Sequence, residues 1–243
     1  MTTKLPARQT PHTHFEQIPV AVVKKIAPLD EAAVKAPAPP DAAVKPTSRR
    51  TAPNADSGHF HGVQFYNDRD GLCRIVGSFI GEGVEQDGLA VIIATPDHIA
   101  RIESCLQRRG VDVDALKRLG HLVTLDADDT LKLFMTDGMP NPGAFRRTLV
   151  GILTNLRRGR EHCSIRAYGE MVDLLWKDGR EAAAIRLETL WNQLGSTHDF
   201  ELLCGYSMGN FYKGAAIDEI KAQHSHVVGD DGDASALLHP ASM

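Results

Sequence analysis

The chain has few cysteines and no long apolar run. Its four cysteines, Cys73, Cys105, Cys163 and Cys204, form no Cys-x-x-Cys pair, so the sequence predicts buried structural thiols in a reducing compartment. No apolar run approaches the roughly 18 residues that cross a bilayer, and the N-terminus lacks the apolar core of a secretory signal. These absences predict a cytoplasmic protein without membrane insertion.

A phosphate-binding loop is also missing. The chain contains no Gly-Lys dipeptide, and therefore no G-x-x-x-x-G-K-[ST] motif. The turn after the first predicted strand, residues 67–71, instead carries two carboxylates, which would repel a triphosphate. Gly81, Gly83 and Gly88 miss the dinucleotide-binding spacing, because they end a helix and do not follow a strand. The sequence therefore argues against an ATPase.

Aromatic residues are scarce in the first part of the chain. Residues 1–58 hold one of them, Phe15, together with nine of the thirteen prolines and two Ala-Ala-Val-Lys repeats. Such a segment cannot bury enough apolar surface to offset the entropy that it loses on ordering. We therefore predict a disordered Ala/Pro/Lys-rich leader at 1–58, a globular domain at 59–228 and a flexible C-terminal tail at 229–243.

Basic residues are scarce in the remainder. Residues 59–243 hold nineteen Lys and Arg against twenty-six Asp and Glu, whereas residues 1–58 hold eight against five. A nucleic-acid-binding surface needs a basic stripe. The acidic domain therefore predicts no nucleic-acid partner.

From His59 onward, segments of strand type and helix type alternate. The runs 60–66, 89–94, 121–125, 163–168 and 200–206 have the composition of buried strands, and amphipathic segments that begin at helix-start residues lie between them. After residue 206 we expect one further helix toward His226 and no strand. Strands separated by helices form right-handed βαβ units. The sequence predicts an α/β fold with a mostly parallel central sheet and helices on both faces.

The stretch 166–192 is the strongest candidate for a ligand site, and it holds both tryptophans of the chain. Open α/β sheets bind ligands at the carboxyl ends of their strands, and alternation places Arg166 and Tyr168 on one face of the preceding strand. A buried arginine needs a carboxylate, for which Glu170 and Glu188 are the candidates. A structural ion-pair lattice that joins helices to the sheet would use the same groups.

Residues 205–209 match the G-x-S-x-G motif at the end of a predicted strand. With Ser207 as the nucleophile, His224 or His226 would be the base. Such elbows lie near the middle of their domain, but only thirty-six residues follow Ser207 and none has a strand pattern. The sequence favours a simple turn over catalysis at this point.

Two histidine pairs, His59-x-His61 and His224-x-His226, could supply ligands to a metal. The acidic segment 126–129 could supply oxygens, yet in no case does the spacing set a third ligand. Surface histidines at the domain ends and helix-capping aspartates explain the same residues. We therefore predict no metal site and no cofactor.

A series of motifs in unbroken order over about residues 59–228 resembles the MEDS family, the methanogen and methylotroph sensory domain. The motifs are His61-x-x-x-x-Tyr66, Phe79-Ile-Gly-Glu-Gly83, Gly110-Val-Asp112, Leu125-Asp-Ala127, Thr130-Leu131, Phe134-Met-x-Asp-Gly-x-Pro140, Arg166-x-Tyr-Gly-Glu-Met-Val172, Leu174-Leu-Trp176, Leu187-Glu188, Leu190-Trp-Asn192 and Phe200-x-Leu-Leu-Cys204. The leader lies outside the resemblance.

The resemblance implies a RecA-like or KaiC-like three-layer domain that has lost its phosphate loop and acts as a sensory module in prokaryotic signal transduction. Members are fused to histidine kinases or to a DNA-binding repressor domain, or stand alone, and a role in sensing small hydrocarbon derivatives has been proposed for them. This chain departs from the usual family residues at Asn141, Gly205 and Ser207, and it has no kinase or helix-turn-helix pattern. We expect neither direct DNA binding nor an output of its own.

The sequence thus predicts a non-enzymatic sensor that binds a small molecule at the carboxyl edge of its sheet and signals to a separate protein, such as a histidine kinase or a sigma-factor regulator. The expected ligand-binding residues are Arg166, Tyr168, Glu170, Trp176, Glu188, Trp191, Asn192, His61 and Tyr66. Three alternatives stay open: a RecA-like nucleotide-binding protein with weak or no hydrolysis, a serine hydrolase that uses Ser207, and a protein that docks a kinase through its tryptophans.

Overall fold

The computed structural model of the protein describes residues 59–211, 217–229 and 234–236. The leader predicted at 1–58 lies outside the described residues. Of the tail predicted at 229–243, the structure describes Gly229 and residues 234–236. Within the described ranges the chain forms nine strands and eight α-helices.

The strands and helices alternate through most of the domain. The strands are β1 (His61–Tyr66), β2 (Leu89–Ala94), β3 (Leu122–Asp126), β4 (Met135–Thr136), β5 (Met139–Pro140), β6 (Ile165–Gly169), β7 (Glu201–Ser207), β8 (His226–Val228) and β9 (Ala234–Ala236). The helices are α1 (Arg69–Glu85), α2 (Pro96–Arg108), α3 (Val113–Arg118), α4 (Ala127–Lys132), α5 (Pro142–Arg157), α6 (Met171–Lys177), α7 (Glu181–Gly195) and α8 (Ile217–Lys221). A short 3₁₀ helix, Met208–Asn210, follows β7.

Seven strands form one sheet in the order β3-β2-β6-β7-β1-β8-β9. Neighbouring strands from β3 to β8 in this order are parallel, and β9 is antiparallel to β8. All six residues of β2 are buried, as a central strand with both faces covered requires. The predicted α/β fold with a mostly parallel sheet is confirmed.

Helices cover both faces of this sheet. Side chains of α1, α2 and α3 pack on one face, called the α1 face below, and side chains of α4, α5, α6 and α7 pack on the other, called the α7 face. The chain moves outward from β1 to β3 over the α1 face and returns through β6 and β7 over the α7 face. Right-handed crossovers demand this change of face when the direction of travel across a sheet reverses.

Four helices begin at a polar residue that caps them. The side chains of Asp68, Asp112, Asp126 and Asn141 each accept a hydrogen bond from the backbone N–H three residues later. The helix cap expected within the 126–129 segment is confirmed at Asp126. Across the described ranges, we find no helix with both the length and the apolar character needed to cross a membrane.

The hairpin β4–β5 was not expected from the sequence. Its two-residue turn consists of Asp137 (φ 49°) and Gly138 (φ 82°), and a type I′ turn requires left-handed backbone at both positions. Asp-Gly is the sequence signal that would have predicted this hairpin.

The end of the domain differs from the expectation as well. The last described helix, α8, ends at Lys221, and His226 begins strand β8. The expected absence of a strand after Ser207 was therefore wrong, because strands of three residues are too short to show a periodic pattern. Strand β9 lies within the segment that was predicted to be a flexible tail.

Candidate functional site

Glu170 is the centre of a hydrogen-bond network at the carboxyl edge of the sheet. It follows β6 directly and is buried. Its carboxylate accepts hydrogen bonds from the backbone N–H of Thr95 and from the hydroxyl of Tyr168, the latter at 3.3 Å, and its Oε2 lies 2.6 Å from Nδ1 of His98. One carboxylate thus joins the ends of β2 and β6 to the first turn of α2.

Asp173, in the first turn of α6, forms a second network at the same edge. Its Oδ1 accepts hydrogen bonds from the backbone N–H of Ser207 and from Nδ2 of Asn210, both at 2.9 Å, and its Oδ2 accepts one from the hydroxyl of Tyr66 at 3.4 Å. Burial raises the pKa of Asp173, although the hydrogen bonds from Ser207 and Asn210 act in the opposite direction. The carboxyl ends of β1 and β7 are thereby joined to α6.

Arg166 lies at the other end of β6 from Glu170, and this corrects the predicted ion pair. Its Nε donates to Oε2 of Glu201 at 2.8 Å, and its Nη1 donates to the carbonyl oxygen of Phe79 at 2.6 Å. The expected partners, Glu170 and Glu188, were wrong. Four extended residues place Arg166 roughly 13 Å from Glu170 along the strand, and Glu188 packs on the opposite face of the sheet.

Both tryptophans lie in the core on the α7 face. Trp191 is 2% exposed and packs edge-on against Phe145 with ring centroids 5.2 Å apart, and Trp176 is 6% exposed and stacks on Phe211 at 5.2 Å. Neither ring presents the exposed surface that docking through tryptophan would need. That alternative is contradicted, since these large apolar side chains fill the space between helices and sheet.

A second polar group lies on the α7 face near the amino end of β1, and it is called the histidine cluster below. It consists of His61, Glu188, Cys204 and His224, all buried. Nε2 of His61 lies 3.3 Å from Oε2 of Glu188 and 3.4 Å from Sγ of Cys204, and Nε2 of His224 lies 3.4 Å from Oε1 of Glu188. The two imidazole centroids are 4.2 Å apart. β1, α7, β7 and the segment before β8 each contribute one of these side chains.

The electrostatics of this cluster centre on Glu188. Burial acts to raise the pKa of this carboxyl group, but His224 and His61 outweigh burial and hold the pKa well below its usual range. The hydroxyl of Tyr206 also donates to Oε1 of Glu188 at 2.8 Å. Burial raises the pKa of the Cys204 thiol, and the nearby Glu188 carboxylate raises it further. The cluster therefore favours an anionic Glu188.

A cavity of about 410 Å³ opens beside the histidine cluster. It lies between the start of β1, the end of α7 and the segment before β8. Its lining residues are His59, His61, Asn192, Gly195, Ser196, Ala222, Gln223, His224 and Ser225. The cavity thus lies against two buried members of the cluster.

The nine residues predicted to bind a ligand do not meet in one site. Tyr66, Tyr168 and Glu170 lie at the carboxyl edge, whereas His61, Glu188 and Asn192 lie in or beside the histidine cluster. β1 runs from His61 to Tyr66, and each of these residues belongs to one group. The two groups therefore lie at opposite edges of the sheet. The residue spacing alone could not separate them, because it does not reveal which ends of the strands are adjacent.

Sequence reasoning missed His98 and Asp173 at the carboxyl edge and Cys204 in the histidine cluster, and it named His224 as a possible ligand without assigning it to a site. The two His-x-His pairs were the available signal for the cluster, since each pair contributes one member. The expectation that these histidines lie on the surface was wrong for His61 and His224. The backbone N–H of Ser225 donates to the carbonyl of His61 at 2.8 Å, so the two segments lie side by side.

The structure does not assemble the expected nucleophile and base at Ser207. Ser207 pairs with Tyr66 at the carboxyl end of β1, whereas Gly62, next to His61, pairs with His226 at the amino end. Four strand residues separate Gly62 from Tyr66, which places Ser207 roughly 13 Å from His226 along the strand direction and farther from His224. Neither His224 nor His226 can take a proton from Ser207 in this arrangement.

The start of α1 is not arranged for a phosphate. The carboxylate of Asp68 occupies its N-terminus and accepts the hydrogen bond from Gly71. A phosphate-binding helix offers its first N–H groups to the anion. At this turn a side chain of the chain itself takes that place.

The chain matches the family model of the MEDS domain over residues 60–225. The family is described as "MEthanogen/methylotroph, DcmR Sensory domain". The chain belongs to the MEDS family. This confirms the resemblance seen in the sequence motifs and indicates a sensory role for the domain. Comparison with curated proteins gives no match. Both polar groups lie within the matched residues, and His224, the last member of the histidine cluster along the chain, comes just before the end of the match.

Proposed function

We propose that this MEDS domain is a non-enzymatic sensor that binds a small molecule in the cavity beside the histidine cluster. One observation carries the proposal: His61 and His224, two buried members of the histidine cluster, are among the residues that line the cavity. Ligand sites are concave and use a few fixed polar groups to orient the ligand. Here the fold has already removed those groups from bulk water.

The carboxyl edge supports ligand binding less well. Glu170 and Asp173 each accept three hydrogen bonds from within the domain. A ligand would have to displace these bonds, and a buried donor left without an acceptor costs about 1–3 kcal/mol. We therefore place the sensory site at the amino end of β1 and regard the carboxyl edge as an ion-pair lattice that holds the sheet together.

Asn192 gives the cavity a route to the rest of the domain. Its Oδ1 lies 2.9 Å from Nδ1 of His61, and its Nδ2 donates to the carbonyl of Gln223 at 2.7 Å. One amide on α7 thus links β1 to the segment before β8. A ligand that alters this link would change how α7 packs, and a separate signalling protein, such as a histidine kinase or a sigma-factor regulator, would detect the change.

Thermal-shift measurements on the full chain test the proposal. The probes are one-carbon compounds, such as methanol and methylamine, and short halogenated hydrocarbons. Ser196→Trp places a large ring at the cavity lining, and Ser104→Trp makes the same change in a groove between α1 and α2. We expect a probe that raises the melting temperature of wild type and of Ser104→Trp but not of Ser196→Trp. A shift that Ser196→Trp retains would contradict this site.

Calorimetric titration with ATP tests the nucleotide-binding alternative. A nucleotide hydrolase needs magnesium to bridge the phosphates, so binding that depends on magnesium would favour that alternative. We expect no heat of binding with or without the metal. Labelling of Ser207 by a serine-directed phosphonate would likewise favour the hydrolase, and we expect none.

A further inference from the structure

The histidine cluster has the composition of a metal site. Its four side chains offer two imidazole nitrogens, a carboxylate oxygen and a thiol sulfur, and these ligand atoms all lie within 4.8 Å of one another. The residues come from positions 61, 188, 204 and 224, so the fold alone brings them together. Imidazole, carboxylate and thiolate together suit zinc among the common divalent metals.

The separations among His61, Glu188 and Cys204 match a tetrahedral site, and His224 lies at a similar distance from the other oxygen of the Glu188 carboxylate. Zinc binds nitrogen and oxygen at about 2.0–2.2 Å and sulfur at about 2.3 Å, which places neighbouring ligand atoms roughly 3.3–3.7 Å apart. Nε2 of His61 lies 3.3 Å from Glu188 and 3.4 Å from Cys204. Sγ of Cys204 lies 3.5 Å from Oε2 of Glu188, and Nε2 of His224 lies 3.4 Å from Oε1 of Glu188.

The outer hydrogen bonds fix both imidazoles with Nε2 directed into the cluster. Nδ1 of His61 lies 2.9 Å from Oδ1 of Asn192, and Nδ1 of His224 lies 2.7 Å from the carbonyl oxygen of Ile220. Both partners are acceptors, so each Nδ1 carries the proton. The orientation of the Asn192 amide is set by its donation to Gln223. An acceptor on the ring nitrogen that does not bind the metal is what orients a metal-binding histidine.

The charge balance of the cluster also favours a cation. Without one, two neutral imidazoles would direct their Nε2 lone pairs at the lone pairs of Glu188. Protonation of one imidazole would pair it with Glu188 but leave the Nε2 lone pair of the other directed at the carboxylate. Protonation of both would leave two positive charges and one negative charge away from water, which is costly. A divalent metal with the Glu188 carboxylate, the Cys204 thiolate and two neutral imidazoles has a net charge of zero.

We propose that His61, Glu188, Cys204 and His224 bind one zinc ion, with release of the Cys204 thiol proton. The cavity of about 410 Å³ lies against two of the four ligands, and we assign entry of the ion to this side of the site. The site itself rests on ligand geometry. Only the role of the ion, at the floor of the sensory cavity, rests on the proposed function.

Metal analysis of the full chain tests the site. After zinc loading and removal of free metal, elemental analysis is expected to give one zinc per chain, and X-ray absorption of the zinc is expected to show one sulfur and three nitrogen or oxygen ligands. A zinc content near zero would overturn the proposal, as would a first shell without sulfur. Both measurements use wild type, so they do not depend on how well a variant folds.

Cobalt substitution tests the individual ligands. In chelator-stripped protein, Co²⁺ is expected to give a sulfur-to-cobalt charge-transfer band that Cys204→Ser abolishes and that the control Cys163→Ser retains. Asn192→Ala removes the oxygen that accepts from Nδ1 of His61, for which we expect a 10- to 100-fold loss of cobalt affinity. A charge-transfer band in Cys204→Ser, or unchanged affinity in Asn192→Ala, would contradict the assigned ligands.

The thermal-shift probes, applied to zinc-loaded and to stripped protein, separate this inference from the proposed function. Zinc-loaded protein that binds no probe would support the metal site and contradict the small-molecule sensor. Protein that takes up no zinc but binds a probe at the cavity would do the reverse.

Discussion

Nδ1 of His98 lies 2.6 Å from Oε2 of Glu170, although 72 positions separate the two residues in the chain. His98 is in the first turn of α2, and Glu170 lies between β6 and α6. The same carboxylate accepts hydrogen bonds from Thr95 and Tyr168. A single buried side chain therefore joins the connection after β2 to the connection after β6, so its loss affects several elements at once.

Replacing Glu170 tests the structural role of this network. In Glu170→Ala, three donors lose their acceptor inside the protein, and we expect the free energy of unfolding to fall by about 3–5 kcal/mol. Glu170→Gln keeps one acceptor oxygen and is expected to lose less. Urea unfolding measures both changes.

The control for Glu170 is an ion pair at the surface of α2, the helix that carries His98. Arg101 contacts Asp97 and Asp70 in solvent, and Arg101→Ala is expected to leave the urea midpoint nearly unchanged. If Glu170→Ala behaved like Arg101→Ala, the carboxylate would not be holding the edge together, and a functional role for it would regain support.

Trp191 distinguishes a core residue from the wall of a ligand pocket. Its ring is buried between Phe145 and Phe200, and Trp191→Ala is expected to lower the free energy of unfolding by about 3–5 kcal/mol. Met139, which is 42% exposed, provides the control, since Met139→Ala should change stability by less than about 0.5 kcal/mol. Chemical denaturation measures both variants. A Trp191→Ala protein of nearly wild-type stability would show that the ring is not a core residue.

The sequence predicted the elements that have strong local signals. Asp68, Asn141 and the apolar run of β2 identify helix starts and a central strand through local chemistry. The family motifs likewise depend on residue order. Such features need no knowledge of which strands lie side by side.

The sequence could not predict the sites, because these depend on sheet order. β6 and β7 insert between β2 and β1, and this order brings Cys204 of β7 next to His61 of β1. The partner of Arg166 was wrong for the same reason, since Glu201 comes from the neighbouring strand β7. Only the two His-x-His pairs offered a local hint of the cluster.

Asp173 gives a prediction for pH dependence. Because burial raises its pKa in the folded state, the folded protein binds a proton more tightly than the unfolded chain does. The stability that this residue contributes is therefore greatest below the usual carboxyl pKa and falls as pH rises through the raised value.

Asp173→Asn keeps an acceptor for Ser207 and Asn210 but does not ionise. Urea unfolding at pH 4 and pH 7 gives the free energy of unfolding of the variant minus that of wild type. We expect this difference to be more positive at pH 7 than at pH 4. An equal difference at both pH values would contradict a raised pKa.

Arg166 allows a direct comparison of the observed ion pair with the expected one. Its guanidinium contacts Glu201 on β7 and lies over the ring of Phe79 at 5.0 Å. A double-mutant cycle of Arg166→Gln with Glu201→Gln is expected to give a coupling energy of about 1 kcal/mol, because the pair is partly exposed to solvent. The matched cycle with Glu170→Gln is expected to give about 0.3 kcal/mol or less, since residues that far apart without shared partners act independently. Coupling to Glu170 that exceeds coupling to Glu201 would contradict the register of β6 and β7, and with it the assignment of the two polar groups to opposite ends of the sheet.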